Sequence, residues 1–179
     1  VIDALRLAEG VFATSSGGPG TEASVKMRGA AAKHTMVLID GVIVNSPTTG
    51  TYDFANLTTE NIDRIEIVRG AQSMLYGSDA MGGVINIYTK RGVDKFTSSA
   101  FVEYGSFASI REGLQASGSK GPFDISASLS RWDTSSFSAV NYRRGAYERD
   151  GFHNWQASGK LGISLPKDGR LEFNLRWYN

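Results

Sequence analysis

Residues 76–92 read YGSDAMGGVINIYTKRG, and the glycine breaks in this segment, which come just before an apolar run, admit two interpretations. A glycine-rich turn beside a strand can hold a phosphate on its backbone N–H groups. The interval from Gly77 to Gly82 matches that of a phosphate loop, but Gly and Val follow where that motif needs Lys and Ser or Thr. We therefore interpret the glycines as a tight structural joint that leads into a strand at 84–90.

The composition of the chain argues against several classes of function. The chain has 179 residues, a net charge of +1 and no cysteine. Nucleic acid is therefore not expected as a partner, and neither a disulfide framework nor a thiolate metal site can form. No apolar run approaches the ~20 residues of a membrane-spanning helix. An enzyme is not expected either, because no Ser/His/Asp or paired-carboxylate arrangement is recognisable.

Residues 1–92 mix helical and strand patterns, which predicts a small α+β domain. Apolar spacing and glycine positions predict a helix at 1–10, helical turns at 58–63 and a short helix at 71–76 that Gly77 ends. Ser78 or Asp79 is expected to cap the next turn. Strands are predicted at 35–40 and 42–44, joined by a turn at Asp40-Gly41, and at 64–70 and 84–90. Polar loops are expected at 14–20 and 45–56.

Residues 98–179 show a different pattern, in which apolar and polar residues alternate along five segments: 98–106, 108–118, 123–131, 155–165 and 171–179. Each spans roughly 9–11 residues, the length of a tilted membrane β-strand. A soluble antiparallel sheet with one wet face also alternates in this way. The connections favour a membrane barrel, because short turns (SKGP, PKDG) alternate with a long polar loop at 133–154. Trp132, Trp155 and Trp177 stand near segment ends, where aromatic girdles of barrels lie.

Two long runs resemble the plug domain of TonB-dependent outer-membrane receptors: RGAAAKHTMVLIDGVIVN at 28–45 and NIDRIEIVRGAQSMLYGSDAMGGVINIYTKRG at 61–92. The resemblance implies a plug domain at 1–92, with a mixed small sheet and short helices. It further implies a tether at 93–97 and the first antiparallel strands of a transmembrane β-barrel at 98–179. Five strands do not close a plugged barrel of about 22. Since the chain also opens at Val1 without an initiator Met, we expect a fragment of a longer protein.

The resemblance also implies a function. Such receptors take up a scarce, large ligand, such as cobalamin or a ferric siderophore, across the outer membrane of a Gram-negative bacterium. The plug gates the barrel lumen, membrane lipid surrounds the barrel, and a TonB-type energy-coupling protein remodels the plug. The segment YGSDAMGGVINI and the loop at 147–154 resemble the cobalamin and catecholate-siderophore branches. A non-transporting ligand-binding or signalling receptor module is the alternative.

The same resemblance nominates individual residues. Arg28 and Arg69 each begin an Arg-Gly pair and match plug arginines that face carboxylates on the inner barrel wall, with Glu66 as an acid beside them. These three residues would form a plug–barrel latch. Two plug segments, 30–35 and 45–56, match loops that point toward ligand. Their ligand-contact candidates are Lys33, His34, Asn45, Ser46, Thr48, Thr49 and Tyr52.

The loop segment YERDGFHN at 147–154 resembles a calcium-binding stretch in the cobalamin branch, which implies Glu148 and Asp150 as calcium ligands. Oxygen donors two residues apart suit Ca²⁺. The arginines of the same loop fit an anionic ligand at least as well. No other cofactor is expected, because His34 and His153 have no partner at metal-ligand spacing and are interpreted as solvated.

Overall fold

The computed structural model describes residues 1–93, 95–136 and 150–179. The chain divides into two compact units: the first comprises Val1–Gly17 and Thr21–Thr89, and the second comprises Gly18–Gly20 and Lys90–Asn179. Residues 90–92 were expected to end the plug domain, but they are grouped with the second unit. Among the described residues, no helix is long and apolar enough to cross a membrane.

The first unit is a small α+β structure. In chain order its elements are α1 (Ile2–Arg6), β1 (Val11–Ser15), β2 (Ala23–Met27), a 3₁₀ turn (Ala32–His34), β3 (Thr35–Ile39), β4 (Val42–Ile43), β5 (Ile62–Arg69), α2 (Ser73–Tyr76), a second 3₁₀ turn (Ser78–Ala80) and β6 (Gly83–Thr89). Strands β1 and β2 form an antiparallel pair, and the other strands form a sheet in the order β4-β3-β6-β5. Within this sheet β3 and β6 run parallel, whereas β4 and β5 are antiparallel to their neighbours.

Apolar side chains cover both faces of the four-stranded sheet. All five residues of β3 are buried, as its uninterrupted apolar run predicts. One face packs in a cluster with Leu5, Met27 and Phe54, and the other contributes Met36, Leu38 and Val84 to a smaller cluster. The sheet is therefore the structural centre of the first unit.

The predicted hairpin turn is confirmed, and its first residue, Asp40, also binds the end of β6. Asp40 and Gly41 adopt positive φ angles of 51° and 81°, the combination that a two-residue hairpin turn of this type requires. The Asp40 carboxylate accepts hydrogen bonds from the backbone N–H of Thr89 at 2.9 Å and from its hydroxyl at 2.7 Å. The turn is thereby tied to the last residue of β6.

Several local predictions for the first unit are wrong. Residues 58–61 are not helical and β5 already begins at Ile62, because so short a segment gains more from pairing with β6 than from one helical turn. Helix α1 ends at Arg6, and the pair β1–β2 was not predicted. Gly77 does adopt a positive φ of 87°, but no side chain caps the following 3₁₀ turn.

The second unit is a five-stranded antiparallel meander in the order β11-β10-β9-β8-β7. Its strands are β7 (Thr97–Gly105), β8 (Ser109–Lys120), β9 (Phe123–Thr134), β10 (Phe152–Ser164) and β11 (Arg170–Tyr178). All five lie where alternation predicts them, within a few residues. The connections at 121–122 and 165–169 are short, as predicted.

The two faces of this sheet have an unusual distribution of burial. On the polar face, Ser126 and Lys160 are only 2% and 3% exposed. On the apolar face, Ile125, Phe173 and Leu175 are 55%, 58% and 75% exposed. A soluble sheet would bury its apolar face in a core, so this arrangement is that of a barrel wall facing lipid.

The tryptophans divide between the two faces. Trp155 and Trp177 lie on the apolar face and are 40% and 51% exposed, as a girdle residue would be. Trp132 lies on the polar face, because alternation along β9 places it on the same side as Ser126 and Ser130. Its ring packs edge-on against Phe152 with ring centres 5.3 Å apart. The expectation that Trp132 belongs to a girdle is therefore wrong.

Candidate functional site: the loop end of the first unit

The strand directions in the first unit bring three connections to one end of its sheet. Strands β3 and β6 begin at this end, and the antiparallel strands β4 and β5 finish there. The segment before β3, the loop after β4 and the connection from β5 to β6 therefore meet. We call this end of the sheet the loop end.

Backbone contacts join these connections into one surface. The N–H of Gly82 donates to the carbonyl of His34 at 2.8 Å, and the N–H of Gly70 donates to the carbonyl of Gly82 at 3.1 Å. Gly50 lies so close to Lys33 that an added Cβ would be 3.1 Å from the Lys33 Cβ. The two segments nominated for ligand contact, 30–35 and 45–56, are thus neighbours in space.

Asn45, one of the ligand-contact candidates, holds the loop onto the sheet. Its Oδ1 accepts from the Val37 N–H at 2.7 Å, and its Nδ2 donates to the carbonyls of Thr35 at 3.0 Å and Gly50 at 2.8 Å. Both amide hydrogens are therefore used within the protein. A structural role explains this asparagine without a ligand.

Two further candidates shape the loop from within. The Ser46 hydroxyl accepts from the N–H groups of Thr48 and Thr49, both at 3.3 Å, a local turn that serine commonly makes. Tyr52 packs edge-on against buried Phe54 with ring centres 4.9 Å apart, beside the main apolar cluster. Both residues stabilise the loop conformation.

The remaining ligand-contact candidates face solvent. Lys33, Thr48 and Thr49 are exposed, and His34 is half-buried. They offer an ammonium group, two hydroxyls and an imidazole on a loop that Asn45 and Ser46 hold in shape. Their contact with a ligand stays a prediction.

The loop end also carries apolar side chains that were not predicted as site residues. Met74, Leu75 and Met81 are 101%, 79% and 50% exposed. Helix α2 has four residues, and of these Tyr76 packs against the smaller core cluster. The segment is too short to bury the others, which is the sequence signal that could have identified them. Flexible thioethers and a leucine suit contact with a large, irregular ligand.

Arg28 and Arg69, the proposed latch arginines, lie at the same end. The Arg28 guanidinium is 3.2 Å from the position of a Cβ on Gly70, and the Arg69 side chain is 3.7 Å from that of a Cβ on Gly10. Both arginines are exposed, and within the described residues neither forms an ion pair. They are available for a carboxylate partner.

Glu66 does not join these arginines. On β5, Ile65 and Ile67 pack against the main apolar cluster, so Glu66 points to the opposite face from Arg69 by strand alternation. Glu66 instead pairs with Arg64 at 2.7 Å, and this hydrogen bond raises the pKa of Arg64. The expectation that Glu66 lies beside the two arginines is therefore wrong.

Of the two proposed calcium ligands, only Asp150 belongs to the described residues. Glu148 lies outside the described residues, and Asp150 is exposed. No group of three or more His, Asp or Glu side chains that could hold a metal ion occurs among the described residues. His153 is not simply solvated, because its ring contacts the Asp133 carboxylate across the β9–β10 pair.

Comparison with known proteins agrees with this architecture. Residues 1–84 match the family model of the TonB-dependent receptor plug domain. A vitamin B12 transporter BtuB of Photobacterium profundum is 32% identical over 96% of this chain and 28% of its own length. Another BtuB, of Vibrio vulnificus, is 46% identical over 49% of this chain and 14% of its own length.

Solved structures give the same result. The siderophore receptor PirA from Acinetobacter baumannii superposes with a TM-score of 0.76 at 26% identity, over 98% of this chain and 28% of that one. The chain thus spans between 14% and 28% of the length of these relatives.

These matches place the chain among the TonB-dependent receptors. It combines a plug domain with antiparallel strands of a plugged barrel, and it resembles the cobalamin and siderophore receptors of this class. The relatives are named as transporters and receptors, in agreement with the expectation that the chain is not an enzyme. The expected location in the outer membrane of a Gram-negative bacterium is confirmed by the same membership.

Proposed function

We propose that the protein takes up a scarce, large ligand across the outer membrane, with energy supplied by a TonB-type coupling protein. Residues 1–89 act as the plug that gates the lumen, and β7–β11 form part of the barrel wall. The alternative, a receptor module that binds or signals without transport, is not favoured, because relatives that are 46% and 32% identical to this chain are named transporters.

The observation that carries this proposal is the inverted sheet of the second unit. Its apolar face is exposed and its polar face is buried, an arrangement that is stable only where lipid takes the place of water. The same chain matches the family model of the plug domain over residues 1–84, which supports a plugged barrel.

Cobalamin is the ligand that we place first, and ferric siderophores second. The BtuB relatives support cobalamin through sequence identity, whereas PirA supports a siderophore through fold at lower identity. Thr48 and Thr49 offer hydroxyls for the amide periphery of a corrinoid, and Met74, Leu75 and Met81 offer apolar contact. Lys33 would suit the negative charge of a ferric catecholate.

The test is uptake by a Gram-negative strain that lacks its own cobalamin and siderophore receptors and expresses the complete gene product. Radiolabelled cyanocobalamin and ⁵⁵Fe-loaded catecholate siderophores are offered separately, with and without a protonophore. Protonophore-sensitive uptake of cyanocobalamin alone supports cobalamin, and uptake of iron alone supports the siderophore. Surface binding without energy-dependent uptake would favour the non-transporting module.

The ligand surface is tested by a triple substitution on the exposed side chains. Lys33→Ala, Thr48→Ala and Thr49→Ala together should weaken ligand binding by roughly tenfold to a hundredfold, since each polar contact to a ligand contributes on the order of 1 kcal/mol. The control is Thr14→Ala on β1, outside the two segments nominated for ligand contact. Equal affinity in the two proteins would exclude these residues from the binding surface.

Calcium at Glu148 and Asp150 is a separate proposal. Equilibrium dialysis of the purified gene product against ⁴⁵Ca²⁺ should show binding that the double substitution Glu148→Gln and Asp150→Asn removes. Binding that survives the double substitution would assign the ion to other residues.

A further inference from the structure

Residues 90–92 form the covalent connection from the first unit toward β7, and they are bound to the sheet of the second unit. The Lys90 ammonium donates to Gln115 Oε1 at 2.9 Å, and the Lys90 carbonyl accepts from the Ser126 hydroxyl at 2.9 Å. Ser126 is only 2% exposed. The connection is therefore held through its backbone as well as its side chain.

Gly92 is packed against the backbone of the sheet. A Cβ at this position would overlap the carbonyl oxygen of Gly118 and lie 2.7 Å from the carbonyl oxygen of Ile125. Gly118 and Ile125 are register partners on β8 and β9. Glycine is needed here because of this close approach, since any other residue would push the connection off the sheet.

Arg91 joins the connection to a row of charges that crosses three strands. Its guanidinium pairs with Glu172 at 3.0 Å, and Glu172 accepts from Arg170 at 2.6 Å. Arg170 donates in turn to both oxygens of Asp124, at 3.0 and 2.8 Å. Asp124 is only 7% exposed, so this end of the row is shielded from water.

The absence of a side chain at Gly162 leaves room for this row of charged groups. Gly162 is the register partner of both Asp124 on β9 and Glu172 on β11. A Cβ at Gly162 would overlap both the Arg170 guanidinium and the Asp124 carboxylate. The central strand therefore lacks a side chain at the point where the ion pair spans it, which indicates that the row is a built feature of the sheet.

We propose that these contacts form a clamp, defined by Lys90, Arg91, Gly92, Ser126 and Glu172, that fixes the connection to the barrel wall while the first unit changes conformation. The clamp sets the boundary of movement at Thr89–Lys90. Residues up to Thr89 can then be remodelled while residues 90–92 keep their contacts with β8, β9 and β11. The conformational change of the first unit rests on the proposed function. The contacts of the clamp are tested independently of ligand uptake.

The contacts differ in expected strength. The Arg91–Glu172 pair is half exposed on the arginine side, at 53%, and such pairs contribute little. The Ser126 bond is buried, and the Gly92 approach leaves no room for adjustment. Substitution at Gly92 should therefore loosen the clamp more than substitution at Arg91.

The experiment measures the reactivity of single cysteines toward a maleimide in the complete gene product, purified in detergent. The described chain has no cysteine of its own, so any cysteine elsewhere in the gene product is first replaced by serine. Ser126→Cys reports on the clamp. Ser128→Cys is the control on the same strand and face, where the native hydroxyl bonds Ser158 at 2.7 Å. Each reporter is combined with Gly92→Ala, Arg91→Gln, Arg91→Lys or Gly159→Ala.

Gly92→Ala should raise the labelling rate of Ser126→Cys by roughly tenfold, because overpacking displaces the connection. Arg91→Gln should raise it by roughly twofold to fivefold, the size expected for one exposed ion pair. Arg91→Lys keeps the positive charge, so the labelling rate of Ser126→Cys should stay near its value in the protein with native Arg91. Gly159→Ala is the matched glycine control, because its Cβ would meet no atom within 4 Å. An unchanged Ser126→Cys rate in Gly92→Ala overturns the clamp, and so does an equal rise at Ser128→Cys.

A urea titration compares the stability of the clamp with that of the first unit. Val37→Cys, in the main apolar cluster of the first unit, should become reactive at lower urea than Ser126→Cys, and Gly92→Ala should narrow this difference. If both cysteines became reactive at the same urea concentration in the protein with native Gly92, the clamp would be no more stable than the first unit. That result would contradict the proposal. Failure of the proposed function would instead appear as absent ligand uptake with these labelling patterns intact.

Discussion

The two units of this chain apply the same alternation rule in opposite senses. In the first unit, β3 is buried at every residue and exposed positions are mainly polar or lie in loops. In the second unit, Ser126 and Asp124 are buried while Phe173 and Leu175 are exposed. The difference shows that period-two patterning specifies which residues share a face, and that the surrounding solvent decides which face is outside.

The largest effect is expected in the core of the first unit. Phe54 is 2% exposed, and Phe54→Ala should destabilise this unit by about 3–5 kcal/mol. The measurement is the urea midpoint for proteolysis of residues 1–89 within the complete gene product. Phe12→Ala is the matched control, because Phe12 is 63% exposed on β1. Equal effects at the two phenylalanines would contradict the assigned core.

An arginine on the apolar face of the second unit should have the next largest effect. Leu175→Arg places a charge where lipid is expected and should cost about 2–4 kcal/mol if the residue lies near the bilayer midplane. The measurement is the yield of folded protein in outer membranes, scored by heat-modifiable electrophoretic mobility. Asn174→Arg, on the polar face of the same strand, is the control. Greater loss from Asn174→Arg would reverse the assignment of the two faces.

Sequence patterns located all the strands of the second unit that the structure describes, but only some of the strands of the first unit. Alternation located all five strands of the second unit, because a residue on a lipid-facing wall is constrained only by its face. In the first unit, the strands β3 and β6 were found through their apolar runs. The pair β1–β2 was missed, because each of its strands has only five residues and the buried face is marked by no more than Ala23, Val25 and Met27.

The candidate site shows the same limit. Sequence resemblance nominated Arg28, Arg69 and Glu66 as one group, although Glu66 and Arg69 are three residues apart on β5 and therefore lie on opposite faces. The role of Glu66 depends instead on its ion pair with Arg64, a side-chain contact that the sequence does not specify. Likewise, the structural use of Asn45 depends on contacts to β3 that lie outside its own segment.

A smaller effect is expected at the turn that ties β3 to β6. Asp40→Gly removes the carboxylate that Thr89 donates to and keeps a residue that accepts positive φ. The loss should be about 1–3 kcal/mol, because a buried N–H of Thr89 loses its charged acceptor. The urea midpoint for proteolysis of residues 1–89 measures it. Thr89→Val removes one of the two bonds and should cost less; a larger loss in Thr89→Val would contradict this explanation.

The smallest structural effect distinguishes the two faces of β5. Arg69→Ala and Glu66→Gln both alter exposed side chains and should each change stability by less than about 1 kcal/mol. Their effects on function should differ, since Arg69 is without an ion-pair partner in the described residues, whereas Glu66 already pairs with Arg64. In a receptor-deficient strain, Arg69→Ala should lower ligand uptake more than ligand binding, and Glu66→Gln should change neither. Normal uptake in Arg69→Ala would remove Arg69 from the latch. A defect in Glu66→Gln as large as that in Arg69→Ala would show that the face opposite the arginines also takes part in coupling.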